Sequence, residues 1–320
     1  MNTVKCPVCL STHTHTHTEV DTAQLAALYS EEVRIDVAPY FSGKIKLTMR
    51  LCSDCDLRFF EPMFPGDELF YEHLQQFDWY YRDDKTEYEF AKNYIGERAK
   101  VLDVGCGRGA FRAWLPESIS YTGLEFNDRA IEKANFKRLN VIKQSVQVHA
   151  DLCPSTYDVV CSFQVLEHVT EPEAFVKGCI KALKSGGVLI LSVPAEDSFL
   201  QFAVNNCLNM PPHHVTRWTD LALKNLAQRE NLSIINLWHE PVSDHIRDWH
   251  TFVLAQYGLS VFKPNPKRNL VRWETSDLRT KLINHLLGKK IIRSFVASVV
   301  AARHPAAKNG HTVMLIAKVP

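Results

Sequence analysis

The sequence predicts an α/β protein with a mainly parallel sheet and helices on both faces. Segments that predict strands recur at 101–104, 121–124, 157–163 and 188–193. A segment of helical character, 127–138, lies between two of them. Strands that alternate with helices form βαβ units, whose parallel strands are buried on both faces.

The first strand runs into a glycine-rich turn. Residues 101–109 read Val-Leu-Asp-Val-Gly-Cys-Gly-Arg-Gly. The apolar residues predict a buried strand, and the glycines allow a sharp turn and close approach of the backbone to a ligand. We expect a helix to begin at 110–115, so that backbone N–H groups and a positive helix end face the loop. This order of elements is typical of a nucleotide-type cofactor site.

Two cofactor classes fit the loop. Gly-x-Gly-x-x-Ala at 105–110 satisfies the loose dinucleotide fingerprint, and Glu125, about 20 residues on, could hold a ribose. The Asp-x-Gly-x-Gly-x-Gly loop of class I S-adenosylmethionine (SAM) methyltransferases resembles the segment more fully, because it also accounts for Asp103 and Gly109. SAM has no pyrophosphate, and it needs close backbone approach to its methionine part and acidic groups near its α-ammonium.

Downstream segments extend the resemblance to methyltransferases. Residues 121–125 predict a second strand that ends in a carboxylate, suited to both ribose hydroxyls. Strand 157–163 runs into Gln-Val-Leu-Glu-His-Val at 164–169, which resembles the fourth motif of small-molecule methyltransferases related to the ubiquinone-pathway O-methyltransferases. Leu-Lys-Ser-Gly-Gly and the apolar run after it, 183–194, match the next turn and strand. The resemblance covers roughly 95–240 and the last ten residues.

The resemblance implies a Rossmann-like sheet of seven strands and a set of SAM contacts. The implied contacts are Asp103, Gly105, Gly107 and Gly109 for the methionine end, Glu125 for the ribose, Ser145 and Val146 for the adenine, and Phe163 and Gln164 closing over the methionine portion. The third strand, before Ser145, has no sharp motif. The placement agrees with the rule that ligands of open α/β sheets bind outside the carboxyl ends of the strands.

The composition and net charge argue against several classes of protein. The chain of 320 residues suits a core domain with additions, and its net charge of +1 argues against a surface that attracts nucleic acid. No signal sequence opens it, and no apolar run approaches the roughly 18 residues that span a bilayer. With nine cysteines and no secretion signal, we expect reduced thiols or metal ligands and a cytoplasmic location.

Two Cys-x-x-Cys pairs predict a metal site in the first 60 residues. They are Cys6 with Cys9 and Cys52 with Cys55. Four thiolates make a closed tetrahedral zinc site without an open position, so the zinc would be structural. A hairpin or short helix must fill the gap between the pairs. The alternatives are two unrelated turns with free thiols, or a redox pair, which would normally open a helix in a βαβ setting.

Two segments near this module have simpler interpretations. His residues alternate with Thr at 12–18, a pattern that can bind metal, but we expect a solvated strand or loop there because the thiolates already complete a site. Residues 61–98 are rich in aromatic and acidic side chains. At this position the methyltransferase resemblance implies helices that cover the SAM pocket.

Three histidines are candidates for the catalytic base. His168 follows the fourth strand, near where the transferred methyl should point, and a neutral imidazole could take a proton from a hydroxyl. Alternatively, Glu167 and His168 cap the next helix. His213 and His214 lie in a proline-stiffened loop, where related methyltransferases keep a Pro-x-His segment over the active site. They could contact substrate or serve the structure.

The resemblance divides the chain further. Residues 99–240 and 311–320 would form the SAM-binding domain, and 241–310 would be a helical cap inserted before the last strand. The cap holds 12 Lys and Arg against 4 Asp and Glu, so its net charge is +8. This asymmetry suggests a surface facing an anionic substrate or a membrane periphery, unless the basic face is simply solvated.

The expected function is SAM-dependent methyl transfer to a small-molecule or glycan acceptor, and the expected acceptor atom is a hydroxyl oxygen. Chains that join a zinc module to a methyltransferase resemble enzymes of polysaccharide and sugar modification. This resemblance implies a glycan or an anionic metabolite as the acceptor. One alternative is an RNA methyltransferase that grips nucleic acid with its zinc module. Another is a non-catalytic SAM-binding protein, against which the intact loop argues.

Overall fold

The computed structural model describes residues 4–77, 80, 83–260, 270–271 and 278–320. The strands in this part of the chain are β1 (Thr14–Asp21), β2 (Lys46–Cys52), β3 (Arg58–Glu61), β4 (Lys100–Val104), β5 (Ser120–Leu124), β6 (Val141–Ile142), β7 (Tyr157–Phe163), β8 (Leu183–Pro194), β9 (Thr216–Arg217), β10 (Ser233–Pro241) and β11 (Asn309–Lys318). The α-helices there are α1 (Thr22–Val33), α2 (Glu68–Leu74), α3 (Thr86–Ala91), α4 (Asp128–Phe136), α5 (Val146–Leu152), α6 (Pro172–Ala182), α7 (Asp220–Arg229), α8 (Asp244–Ser260), α9 (Leu278–Leu287) and α10 (Lys290–Arg303).

The main sheet has seven strands in the order β10-β11-β8-β7-β4-β5-β6. Its β8, β7, β4, β5 and β6 run parallel, whereas β11 is antiparallel to both β8 and β10. The strand order reverses at β4, which lies between β5 and β7. A crevice at the carboxyl end of β4 is therefore the expected ligand site of this sheet.

Alternate residues of β4 pack on opposite faces of the main sheet. Leu102 belongs to a buried cluster with residues of α5, α6 and α7, whereas Val101 belongs to one with residues of α3 and the 3₁₀ turn Phe111–Trp114. Burial on both faces explains why the parallel strands are continuous apolar runs. The predicted α/β sheet of seven strands is confirmed.

The N-terminal residues form a second, four-stranded sheet in the order β1-β2-β3-β9. β1 and β2 make the hairpin expected between the cysteine pairs, with α1 inserted between them. β3 pairs with β9, which belongs to the catalytic half of the chain. Cys6, Cys52 and Phe59 share one buried cluster with Leu102 of the main sheet. The N-terminal module is thus joined to the larger domain by a common core.

Two predicted elements differ from expectation. The helix expected from 110 is only a single 3₁₀ turn, Phe111–Trp114. Pro116 disfavours a helical conformation at the residue before it, and Leu115 is extended, with φ −104° and ψ 146°. The third strand, β6, has two residues, because Ser145 three positions later already caps α5.

The described part of the insertion before β11 is helical. α8 and α10 pack on each other and on the 3₁₀ turn Phe199–Phe202, and their apolar residues form a cluster of their own. The parts of the predicted basic cap at 261–269 and 272–277 lie outside the described residues. Among the helices described, none has the length and apolar character to cross a membrane.

Candidate functional site

The glycine loop follows β4 at the centre of the main sheet. Gly105, Gly107 and Gly109 all have positive φ, at 74°, 54° and 71°. A Cβ atom on Gly105 would lie 2.4 Å from Val165 Cγ2, and one on Gly109 would lie 2.3 Å from Leu139 Cδ1. The loop therefore depends on glycine for both its conformation and its packing.

Glu125 ties the glycine loop to the end of β5. Its Oε2 accepts from the Gly107 N–H at 2.8 Å, and its Oε1 accepts from the N–H groups of Phe126 and Asn127 at 2.8 and 2.9 Å. A carboxylate has about four acceptor positions, so it can also receive a ribose hydroxyl. The half-buried position of Glu125 beside the loop fits the ribose contact that the resemblance implies.

Asp103 lies at the end of β4 with its side chain buried. The Tyr121 hydroxyl donates to Asp103 Oδ2 at 2.7 Å. Burial raises the pKa of Asp103 to about 7, against the opposing effect of the Tyr121 hydrogen bond. A buried carboxyl beside the loop is a suitable partner for a cation such as the α-ammonium of SAM.

The predicted adenine contacts lie at the start of α5. Ser145 caps this helix, since its hydroxyl oxygen accepts from the Val148 N–H at 3.3 Å. Val146 is buried against Gly178 of α6, where a Cβ atom would lie 3.2 Å from Val146 Cγ1. Both residues therefore have a structural role in anchoring the turn after β6.

The two predicted residues at the end of β7 point to different surroundings. The Phe163 ring packs among aromatic rings, 4.7 Å from Phe111 and 5.0 Å from Tyr88 between centroids. Gln164 has φ 58°, and its Nε2 donates to Glu87 Oε2 at 3.1 Å and to Ser192 Oγ at 3.3 Å. Phe163 thus packs in the hydrophobic core, whereas Gln164 belongs to a polar network.

That polar network contains two residues that sequence reasoning missed. Glu87 is buried, accepts from Ser192 Oγ, and lies 3.4 Å from Lys85 Nζ. Burial dominates the pKa of both Asp103 and Glu167, and the charge of Lys85 opposes it in each. Lys85 is therefore the cation paired with Glu87 in this network. The segment 61–98 is rich in aromatic and acidic residues, and no motif in it distinguishes these two.

The three candidate histidines come together beyond β7. Ring centroids are 4.6 Å apart for His168 and His213, 4.8 Å for His168 and His214, and 4.4 Å for the stacked pair His213 and His214. Burial lowers the pKa of His168 to about 4 and holds those of His213 and His214 well below their usual value. The cluster is therefore uncharged at neutral pH.

Glu167 lies against this histidine cluster, which we define as His168, His213 and His214. It is 1% exposed, and burial raises its pKa to about 8. Its Oε1 is 3.7 Å from His168 Nε2 and 3.8 Å from His214 Nε2. Neither carboxyl oxygen has a hydrogen-bond partner within the described part of the chain.

The four N-terminal cysteines converge as their spacing predicts. Cys6 Sγ is 3.5 Å from Cys55 Sγ, Cys9 Sγ is 3.4 Å from Cys52 Sγ, and all four sulfurs lie within 4.8 Å of one another. Tetrahedral zinc with bonds of about 2.3 Å places sulfurs about 3.8 Å apart. The sulfur geometry therefore fits a zinc ion.

Each of the two cysteine pairs lies in a backbone turn of the same kind. The Leu10 N–H donates to the Cys6 carbonyl at 3.0 Å, and the Asp56 N–H donates to the Cys52 carbonyl at 2.9 Å. Both residues after the pairs are left-handed, with φ 58° at Leu10 and 64° at Asp56. Nearby, His15 is exposed on β1, as expected of a solvated strand.

Comparison with known proteins agrees with this geometry. A profile of the methyltransferase-domain family matches residues 72–237. The chain belongs to the class I SAM-dependent methyltransferases. A ubiquinone biosynthesis O-methyltransferase of Proteus mirabilis (strain HI4320) is 32% identical over 183 residues, which are 48% of this chain and 73% of that one.

Other relatives are matched over a shorter segment. The ubiquinone biosynthesis O-methyltransferase of Pectobacterium carotovorum subsp. carotovorum (strain PC1) is 36% identical over 112 residues, or 31% of this chain and 47% of the relative. The chain thus spans about half the length of such relatives. A solved SAM-dependent methyltransferase from Archaeoglobus fulgidus superposes with a TM-score of 0.52 at 16% identity, covering 78% of this chain and 99% of that one. This last match supports the fold.

Proposed function

We propose that this methyltransferase transfers a methyl group from SAM to a hydroxyl oxygen of a small-molecule or glycan acceptor. The observation that supports this most is the buried histidine cluster just past the end of β7, since β7 pairs in parallel with β4, the strand that leads into the glycine loop. Relatives named ubiquinone biosynthesis O-methyltransferase support oxygen as the acceptor atom. When bound, SAM supplies an activated methyl group that an in-line nucleophile displaces from sulfur.

Different residues of the chain would bind the cofactor and assist the reaction. Asp103, Glu125 and the glycine loop would hold SAM, with Asp103 toward the ammonium and Glu125 toward the ribose. Since the leaving group is already activated, most of the catalysis can come from positioning the acceptor and removing its proton. The histidine cluster offers neutral nitrogen atoms for that second task.

The four N-terminal cysteines would hold one structural zinc ion. Four thiolates saturate a tetrahedral ion, so this site would have no open position for a substrate. Residues 1–60 would then be a folding module, followed by the covering segment 61–98. The SAM-binding domain, 99–240 with 311–320, and the basic cap, 241–310, complete the proposed division.

The direct test is a screen with SAM labelled in its methyl group. Hydroxylated metabolites and sugar nucleotides would be offered in parallel with short RNA, and label in the product would be counted. Label in a hydroxylated acceptor but not in RNA supports the proposal. Transfer to RNA with strong dependence on salt would contradict it and favour the nucleic-acid alternative.

The histidine cluster gives the matched variant. His168→Ala should cut turnover by roughly 10²- to 10⁴-fold with little change in SAM affinity, the usual range for loss of assistance to a proton transfer. His250→Ala is the control, because His250 is a half-buried histidine in the cap that contacts the Ala307 carbonyl at 2.7 Å. Equal turnover in the two variants would remove His168 from the reaction.

A further inference from the structure

The ring nitrogens of the histidine cluster are oriented by oxygen acceptors. His168 Nδ1 is 2.5 Å from the His213 carbonyl oxygen, His213 Nδ1 is 2.8 Å from that of Leu208, and His214 Nδ1 is 3.0 Å from Asn209 Oδ1. These oxygens can only accept, so each Nδ1 carries the proton and donates it. Each Nε2 is then left with a lone pair.

Metal-binding histidines show the same arrangement. Such histidines almost always donate their second ring N–H to a carbonyl, a carboxylate or water, which fixes the tautomer and the ring. In the cluster all three donate in this way. One ligand atom from each histidine lies within 4.8 Å of the other two. Tetrahedral zinc with bonds of about 2.1 Å needs nitrogens about 3.4 Å apart, so the stacked rings of His213 and His214 must turn out of their stack to close the set.

The buried carboxyl group of Glu167 is a second, independent observation. Its Oε1 atom lies 3.7 Å from His168 Nε2 and 3.8 Å from His214 Nε2, too far for hydrogen bonds. A buried carboxyl without a partner is costly, and none of the described residues supplies one. A cation among the three nitrogens would give these oxygens a partner.

We propose that His168, His213 and His214 bind one divalent first-row transition-metal ion through their Nε2 atoms, with Glu167 beside it. Imidazole ligands favour zinc and its neighbours over magnesium or calcium. Three protein ligands leave the fourth position open, as in catalytic zinc sites. This site is separate from the four cysteines, which leave no open position.

The metal site would add a specific role to the proposed function, and this part of the proposal rests on that function. The acceptor hydroxyl would bind at the open position, where the ion lowers its pKa. Its O–H bond would break with loss of the proton to solvent water, and the oxygen would form a bond to the methyl carbon as the bond from that carbon to sulfur breaks. The acceptor class is therefore an alcohol, phenol or enol whose oxygen can bind a metal ion.

One contact must change when the ion binds. The Tyr80 hydroxyl donates to His213 Nε2 at 3.1 Å and so occupies the lone pair that the ion would use. The ion would displace this hydroxyl, which makes Tyr80→Phe informative. A metal site should keep its ion in that variant, with equal or higher affinity, because a competitor for the nitrogen has gone.

The test is the metal content of the full-length protein, with zinc as the probe. After dialysis against zinc, wild type should contain two ions per chain, one for the cysteines and one for the histidine cluster. His213→Ala and His214→Ala should contain one. His250→Gln is the control and should contain two, and binding of S-adenosylhomocysteine measured by calorimetry should confirm that every variant is folded.

A graded variant covers the case in which a histidine change disturbs folding. Asn209→Ala removes only the Nδ1 partner of His214, and it should weaken the second zinc by roughly 10- to 100-fold. A single ion per chain in wild type, or two ions in both histidine variants, would overturn the metal site. Methyl transfer by a protein with a single ion would then leave the proposed function intact, with a histidine acting directly as the base.

Discussion

At the scale of single residues, Glu125 has two tasks at once. It fixes the glycine loop through the Gly107 N–H and would also receive the ribose. Glu125→Ala should weaken SAM binding by roughly 1.5–3 kcal/mol, the scale for loss of hydrogen bonds to a charged group. Calorimetry with SAM measures this. Asp128→Ala removes a neighbouring exposed acid and is the control, so an equal loss in both variants would argue against the ribose role.

Asp103 predicts how cofactor affinity depends on pH. Its pKa of about 7 means that the carboxylate is replaced by the neutral acid as the pH falls below 7. Only the carboxylate attracts an ammonium group, so affinity for S-adenosylhomocysteine should fall between pH 8 and pH 6, by up to about tenfold per unit below the pKa. The trend should vanish in Asp103→Asn. A flat profile in wild type would place the ammonium elsewhere.

Most side chains at the site were predictable from motifs, but not all. The glycine loop, Glu125 and His168 each follow a parallel strand of the main sheet, and strands of this kind were predicted from the sequence. Lys85 and Glu87 were missed, since their segment has no motif and the contact of Glu87 with Gln164 depends on tertiary packing. The contact of Glu167 with His214, 47 positions away, was equally invisible in the chain order.

At the scale of elements, local chemistry explains where prediction failed. The glycine loop was expected to start a helix with a useful dipole, but one 3₁₀ turn follows it. The backbone N–H groups of the loop therefore face a ligand without the added positive charge of a helix N-terminus. Pro116 could have revealed this, because a helix rarely continues into the residue before a proline.

The N-terminal sheet makes its own prediction about zinc. Cys6→Ala should remove one zinc ion per chain and loosen the cysteine turns, because metal binding and folding are coupled in such sites. Since Cys6 shares a buried cluster with Leu102, thermal stability should also fall by several degrees, while binding of S-adenosylhomocysteine persists. Cys153→Ala, a half-buried thiol elsewhere, is the control.

The measurements for this variant are zinc content and thermal unfolding. Unchanged zinc in Cys6→Ala, or four freely reactive thiols in wild type, would contradict the structural site. Complete loss of cofactor binding would show instead that the module cannot be separated energetically from the main sheet.

At the scale of the whole molecule, charge is unevenly distributed. The chain is nearly neutral, yet its insertion before β11 is strongly basic. The apolar residues of α8 and α10 pack in a cluster separate from the main sheet, so the insertion adds a surface more than it supports the catalytic core. Such a surface is suited to an anionic partner.

The exposed face of α10 adds apolar contacts to this charge. Ile291 is 86% exposed and Phe295, one turn later, is 69% exposed. Lys290 and Arg293 belong to the same turns. A helix that combines exposed apolar and basic residues is suited to the surface of an anionic membrane.

We therefore expect binding to vesicles that contain phosphatidylserine, and none to vesicles of phosphatidylcholine alone. Ile291→Ser with Phe295→Ser should weaken binding by removing buried apolar area, and Lys290→Ala with Arg293→Ala should weaken it by about 1 kcal/mol per charge. Flotation of the full-length protein with each vesicle measures both effects. Leu69→Ser, at an exposed apolar residue on α2, is the control. Equal flotation with both vesicle types would mean that the basic cap does not recognise an anionic membrane, and its charge would then serve an anionic acceptor or remain solvated.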